Sequence, residues 1–307
     1  MNDHSAKSGI LFAIAAYGMW GFAPMYFKLI KQVPAIEILM HRMIWSLLIL
    51  LVLIIAVGQV HKVQAALRNP KVLKILLISG LLLAGNWLLF IWAINSDHLL
   101  DASLGYYINP LLNVLLGYLF LGERLRRMQQ VAVLIALVGV SYLVVSYGQL
   151  PWIALVLAGS FGIYGLLRKQ VAVDSLPGLL IETSMMTPFA IAYWIWFAGP
   201  TSNFMLNETS HNLILICAGV VTTAPLLCFT AAAKRLMYST LGFFQYIGPS
   251  IMFLLAVFVY QEGLQIDRLI TFGFVWTALI IFSYDSYRQY RNKRKLLKQS
   301  LQTPTAN

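Results

Sequence analysis

The chain has 307 residues, 60% of them hydrophobic and only 11% charged, with a mean hydropathy of +0.76; a soluble domain carries about 25% charged residues. That composition excludes a water-soluble globular protein and describes an integral membrane protein. The net charge of +11 would suit nucleic acid, but the charges are distributed by membrane side, as set out below, so no nucleic-acid partner is expected.

Apolar runs of about 20 residues cross a ~30 Å hydrocarbon core. Ten occur, at 8–28, 36–57, 72–94, 101–120, 129–146, 150–168, 178–198, 211–232, 239–260 and 267–287. They are continuously apolar, so they read as helices; a barrel would show shorter alternating segments. Loops are short and leave no room for a soluble domain. With the N-terminus in the cytoplasm, every Lys and Arg falls on the inner side except Lys28, Lys31, Arg268 and the intramembrane Arg42. This is the positive-inside asymmetry, and it predicts that both termini are cytoplasmic. The basic run after Tyr287 is expected to lie along anionic lipid.

Two stretches recur. Span one carries Tyr17-Gly18-Met19-Trp20-Gly21-Phe22-Ala23-Pro24 and ends at Lys28, while span six carries Gly159-Ser160-Phe161-Gly162-Ile163-Tyr164-Gly165 and ends at Arg168-Lys169. An aromatic-Gly pair precedes a Lys by eight residues in both. Because span one is one copy of a repeated element, it is read as a retained span rather than a cleaved signal peptide. In span four Ser103-Leu104-Gly105-Tyr106-Tyr107-Ile108-Asn109-Pro110 leads to Glu123, and in span nine Leu241-Gly242-Phe243-Phe244-Gln245-Tyr246-Ile247-Gly248-Pro249 leads to Glu262, with 13 positions from Pro to Glu each time. Ten spans therefore divide into two five-helix repeats, 1–148 and 149–307, the second with the basic tail. Since five is odd, the repeats have inverted topology, and the expected fold is an all-α membrane protein with a pseudo-two-fold axis in the membrane plane. Glu123 then lies inside and Glu262 outside.

Glycines at packing spacing, Gly18 and Gly21 in span one and Gly159, Gly162 and Gly165 in span six, are read as close-approach points between helices. Pro24, Pro110, Pro188, Pro225 and Pro249 each deprive a carbonyl one turn earlier of its N–H donor. Cys217 and Cys228 stand eleven helical residues apart, about 16 Å, too far for a disulfide.

Candidate functional residues follow from polar groups placed in hydrocarbon, where an unpaired amide is costly. Tyr106, Asn109, Asn113 and Gly117 share one helical face, which is either an interhelical hydrogen-bond seam or a cavity wall. Gln245 and Tyr246 fall at the matching depth of span nine, Asn86 and Trp87 near the midplane of span three, and Trp20 with Tyr17 in span one. This set, rich in aromatics and poor in charge, suits an amphipathic or aromatic solute rather than a small ion. His41 and Arg42 lie about two turns into span two and Glu182 about one turn into span seven, and charged residues within spans are functional candidates. Arg42 could hold an anionic group, and His41 or Glu182 a coupling proton, with a structural ion pair as the alternative. Glu37, Asp101 and Asp285, at span ends, are expected to face solvent. No nucleotide, hydrolase, cofactor or metal-ligand motif is present, so neither a cofactor nor catalysis is expected.

Ten spans in a five-plus-five inverted repeat resemble the EamA branch of the drug/metabolite transporter superfamily. The stretch from Tyr17 to Pro24, Gly85-Asn86-Trp87-Leu88-Leu89-Phe90-Ile91-Trp92-Ala93, and the two Gly-aromatic-Pro stretches at 104–110 and 241–249 resemble its RarD permease subgroup over essentially the whole chain. The resemblance implies a bacterial inner-membrane permease, associated by its name with chloramphenicol sensitivity, that moves a small-molecule solute by alternating access. Relatives in the superfamily export amino acids and other metabolites, which makes export the expected direction, through a central cavity lined chiefly by spans one, three, four, six, eight and nine. The small multidrug members of the superfamily exchange protons on a Glu in their first span; here that span has no acid. A membrane sensor that binds a solute without moving it is the second class considered, and net flux would separate the two.

Overall fold

The computed structural model describes residues 3–95, 98–259, 261 and 266–302, and every regular element among them is helical. In chain order these are α1 (Asp3–Leu29), α2 (Ala35–Ala56), α3 (Val60–Leu67), α4 (Pro70–Asn95), α5 (Leu99–Leu121), α6 (Arg127–Tyr147), α7 (Trp152–Gln170), α8 (Ser175–Phe197), α9 (Thr209–Arg235), α10 (Tyr238–Gln245), α11 (Ile247–Leu254) and α12 (Ile266–Gln302). Among the described residues, nine helical segments are long and apolar enough to cross a membrane. The expected seventh span falls on α8, which has 23 residues but whose Glu182, Thr183, Ser184 and Thr187 lower its hydropathy. Glu262, the end of the second repeated stretch, lies outside the described residues.

Helix ends follow local chemistry. Gly122 (φ 62°) ends α5 and Gly148 (φ 74°) ends α6, each in the left-handed region that glycine enters without a Cβ penalty. The ninth span is broken: α10 stops at Gln245, α11 starts at Ile247, and a π-helical turn follows at Leu255–Val259. Pro249 contributes to the break, since it offers no N–H to the Gln245 carbonyl and its ring crowds that group. Pro110 does the same to the Tyr106 carbonyl, yet α5 runs through it unbroken. The short helix α3 was not anticipated; its Val63 and Ala66 pack with Val72, Val171 and Ile181.

The chain packs as two units, one of residues 1–123 with 151–262 and one of 124–150 with 263–307. Each contains helices from both sequence halves. In the larger unit α1 packs on α9, α10 and α11, α7 on α4 and α5, α2 on α8 and α9, α8 on α4, and α5 on α10. Glycines allow the closest approaches. A Cβ on Gly242 of α10 would stand 2.8 Å from the Pro110 carbonyl oxygen of α5, and one on Gly21 would stand 2.7 Å from Ile251 of α11. Gly162 and Gly165 also abut neighbouring helices, whereas Gly18 and Gly159 face open space. The smaller unit is the pair α6 and α12. There Asp285, expected at the surface, is mostly buried and accepts from Arg126 Nε at 2.7 Å, because Arg126, just before α6, reaches across to α12.

Glu37 is the second correction to the expectation of solvent-facing acids. It is buried, and its carboxylate accepts from Gly199 N (2.7 Å), Thr201 Oγ1 (3.0 Å) and Ser202 Oγ. It thereby fixes the loop after α8 to the start of α2. Several residues read as loop charges also serve as helix-end caps. Glu123 accepts from Tyr238 N (2.5 Å), Ser239 N (2.9 Å) and Ser239 Oγ (2.7 Å) at the N-terminus of α10, satisfying donors that have no partner within that helix. Lys169 Nζ donates to the carbonyls of Ala233 (2.8 Å) and Leu236 near the end of α9, and Lys234 Nζ donates to the Val171 carbonyl (2.8 Å) beyond α7.

Candidate functional site

The larger unit contains a cavity lined by α2, α4, α8 and α9. Arg42 and Ser46 come from α2, Trp87 from α4, Glu182 from α8, and Thr222 and Thr223 from α9, with Met43, Leu83, Met186 and Leu226 as its apolar wall. It holds about 30 Å³, room for about two waters.

Arg42 is the cation of the cavity. Its Nε donates to Thr222 Oγ1 at 2.8 Å, and its guanidinium lies 4.4 Å from the Trp87 ring centroid and 5.6 Å from that of Phe27. Stacking on aromatic faces orients the guanidinium but does not neutralise it. Among the described residues no carboxylate is found paired with Arg42; Glu182, which lines the same cavity, faces Arg168 instead. An uncompensated guanidinium within a span is costly, and a group that accepts bidentate hydrogen bonds, such as a carboxylate or sulfonate, is its natural complement.

Glu182 is buried. Its Oε1 accepts from Ser79 Oγ and faces Arg168 Nη1 at 3.7 Å, an ionic contact too long for a hydrogen bond. From the sequence Arg168 reads as an inner-side charge at the end of span six. It is instead fully buried, because α7 extends through it and Tyr164, one turn earlier on the same face, is buried too. That i, i+4 relation to an aromatic on a glycine-rich face was the signal available in the sequence.

The remaining sequence candidates separate into three groups. Asn109, Asn113 and Gln245 form one buried seam, in which Asn113 Nδ2 donates to Asn109 Oδ1 (3.0 Å) and Gln245 Oε1 (3.1 Å), and Asn109 Nδ2 donates to the Ala158 carbonyl (2.8 Å). Beside it Tyr246 OH donates to the Tyr107 carbonyl at 3.2 Å, and Asn86 Nδ2 ties α4 to α7 through the Leu157 carbonyl (2.8 Å) and Ser160 Oγ (2.9 Å). On this face the structure shows interhelical hydrogen bonds: these amides join α4, α5, α7 and α10, and they are not among the residues lining the cavity described above. Trp20 belongs to an aromatic cluster with Tyr17, Phe161 and Phe229, at centroid distances of 5.7, 5.8 and 5.8 Å, while Tyr106 packs edge-on against Phe90 at 6.0 Å. His41 forms the third group. It is buried against Trp194 and Phe204, its Nδ1 accepts from Trp45 Nε1 (3.3 Å), and its Nε2 therefore carries the hydrogen directed at Ser202 Oγ (3.1 Å). It belongs to the Glu37 clasp, apart from Arg42 and Glu182. Thr222, which holds Arg42, was missed because a Thr in a helix ordinarily bonds its own backbone, as Thr222 also does.

Comparison with known proteins places the chain. Residues 7–145 match the EamA-like transporter family. An "Uncharacterized transporter" of Vibrio cholerae is 57% identical over 94% of this chain and 95% of its own. A protein of Salmonella typhimurium named "Protein RarD" is 53% identical over 95% of this chain and 100% of its own. A solved crystal structure with 19% sequence identity superposes with a TM-score of 0.71, covering 91% of this chain and 98% of that one, and shows that the fold is shared. With full-length identity above half to these relatives, the chain belongs to the RarD subgroup of EamA-like transporters in the drug/metabolite transporter superfamily and is a multi-pass transporter of the bacterial inner membrane.

Proposed function

We propose that the chain moves a small amphipathic solute with an aromatic or apolar body and an anionic group, by alternating access, with Arg42 binding the anion and Trp87 stacking on the body. The observation that carries this reading is the Arg42 guanidinium, oriented by Thr222 and Trp87 in a cavity with no paired carboxylate among the described residues. A solute pocket is commonly about 300 Å³ or more, far larger than the space present, so loading requires α2, α4, α8 and α9 to separate. Trp20 and Tyr106 are proposed as contacts along the path. Asn86, Asn109, Asn113, Gln245 and Tyr246 are proposed to act through the joint between helices that rock.

The reading includes ten spans in a five-plus-five inverted repeat with cytoplasmic termini. In support, the helix pairings survive exchange of the halves. Replacing α1 by α7, α2 by α8, α4 by α9 and α5 by α10 with α11 turns α1 on α9 into α7 on α4, and α5 on α7 into α1 on α10 and α11. It likewise turns α2 on α9 into α8 on α4. The basic run from Arg288 to Lys298 is proposed to lie along anionic lipid.

A matched probe set tests the site. Binding of tritiated naphthalene-1-sulfonate, 1-naphthol and a naphthyl trimethylammonium cation to the protein in nanodiscs should favour the sulfonate. Arg42→Gln should weaken the sulfonate about tenfold, the ~1.4 kcal/mol of one charge-assisted contact, while leaving 1-naphthol unaffected. Sulfonate binding by Arg42→Gln at wild-type strength would remove Arg42 from the site. Binding without counterflow in liposomes would favour the sensor.

A further inference from the structure

Glu182 stands where the cavity meets a buried ion pair. It lines the same space as Arg42, yet its Oε2 has no hydrogen-bond donor, and Arg168 Nε and Nη1 make no well-formed hydrogen bond, with the Tyr164 hydroxyl lying against the Arg168 guanidinium. The hydrogen bond found for Arg168 is from Nη2 to the Ser175 carbonyl at 3.1 Å. A buried ion pair repays its desolvation only when its geometry is good and its remaining polar atoms are satisfied. This one meets neither condition, so stability does not account for it, and apolar residues of similar volume would serve packing as well.

The surroundings determine what the pair can do. Facing Glu182 are Arg168 and Tyr164 from α7, Ser79 from α4 and, across the shared cavity, Arg42 from α2. Lys234 of α9 lies within electrostatic reach of Arg168. The one carboxylate among these groups faces Arg168, and Arg42, lining the same cavity, has none. If Glu182 becomes neutral, the site gains one unit of positive charge, and an anion is the ligand that restores the balance. Conversely, an anion entering beside an ionised Glu182 is repelled, and like-charge repulsion favours protonation of the acid.

We propose that Glu182 is the proton-binding residue of this transporter and that Arg168 is its lock. A proton arriving through the cavity adds to Oε2 and gives the neutral carboxylic acid. Arg168 loses its counter-charge, the contact between α7 and α8 loosens, and the cavity attracts the anionic solute. Release of the solute favours loss of the proton and re-formation of the pair. Solute and proton therefore move in the same direction, and whichever gradient is steeper sets that direction. The inference rests on the anion-transport reading above.

The test uses the full chain in liposomes at zero membrane potential, with naphthalene-1-sulfonate as probe and an imposed gradient of about one pH unit, acid outside. The wild type should accumulate the probe up to about tenfold for one proton per solute. The double variant Glu182→Gln/Arg168→Met should reach equal concentrations only, at whatever rate. Arg168→Lys, which keeps the pair, should still accumulate. Accumulation by the double variant, or equilibration without accumulation by the wild type, overturns the proposal. If the wild type does not take up the probe, the anion-transport reading fails by itself, and the proton site is then decided by infrared titration of carboxyl groups. A carboxylic-acid band that appears on acidification in the wild type and is missing from Glu182→Gln supports the site; no such difference overturns it, and the same measurement decides if the double variant does not fold.

Discussion

Two acids in this protein are almost equally hidden, with Glu37 at 4% and Glu182 at 2% exposure, and the protein treats them in opposite ways. Glu37 receives three donors from the loop after α8, and one of these, Ser202, also meets His41. Its charge is distributed over hydrogen bonds, and a charge held in this way is a clasp. Glu182 receives one donor and an arginine too distant for a hydrogen bond. Burial alone is thus a poor guide to function in a membrane protein; the number of satisfied lone pairs is the better one. The largest expected effect lies on the clasp. Glu37→Ala removes an ionised acceptor from three donors and should cost about 3 kcal/mol, read as a fall in the thermal unfolding midpoint of the purified protein, whereas Glu37→Gln should lose less because its carbonyl oxygen still accepts. If Glu37→Ala unfolds with the wild type, the contrast with Glu182 collapses.

The amide seam lies between these extremes. Asn113 donates to both Asn109 and Gln245, while its own Oδ1 has no donor. Asn113→Ala leaves two buried acceptors without a donor and should cost about 2 kcal/mol, less than Glu37→Ala because no charge is involved. A loss as large as that at Glu37 would show that neutral amides in this bilayer protein carry the weight of a clasped carboxylate.

Much of this could be read in advance. Apolar length is a local property of the chain, so nine of the expected spans fall on helical segments long and apolar enough to cross a membrane among the described residues, and α8 departs through its polar Glu182, Thr183, Ser184 and Thr187. The site was partly legible. Arg42, Trp87 and Glu182 were singled out for being polar or aromatic at depth, and they share the cavity. What could not be read was which partner each polar group would find. Glu37 at a span end and Arg168 beside a turn look alike as solvent-facing charges until Gly199–Ser202 and Glu182, distant in sequence, fold against them. Pro110 and Pro249 impose the same loss on the preceding turn, yet α5 continues and the ninth span breaks, so a proline alone does not tell which helix is interrupted.

The smallest effect belongs to the pair that water already serves. Lys62 Nζ donates to Asp174 Oδ2 at 2.6 Å, with side chains 41% and 58% exposed. The Lys62 hydrogen bond, chiefly, holds the Asp174 carboxyl below its ordinary range. A carboxyl whose proton affinity is lower in the folded state than in the unfolded one stabilises the fold above the unfolded value, near 3.8, and loses that contribution as pH falls through the folded value. Since the pair is exposed and screened, it should contribute less than about 1 kcal/mol. Unfolding midpoints of the wild type and Lys62→Met, compared from neutral pH down to strongly acidic pH, should therefore differ slightly at neutral pH and converge on acidification. A large difference, or one that widens in acid, would mean that partnership rather than exposure sets the worth of an ion pair here, and the ranking that separates Glu37 from Glu182 would have to be rebuilt on that basis.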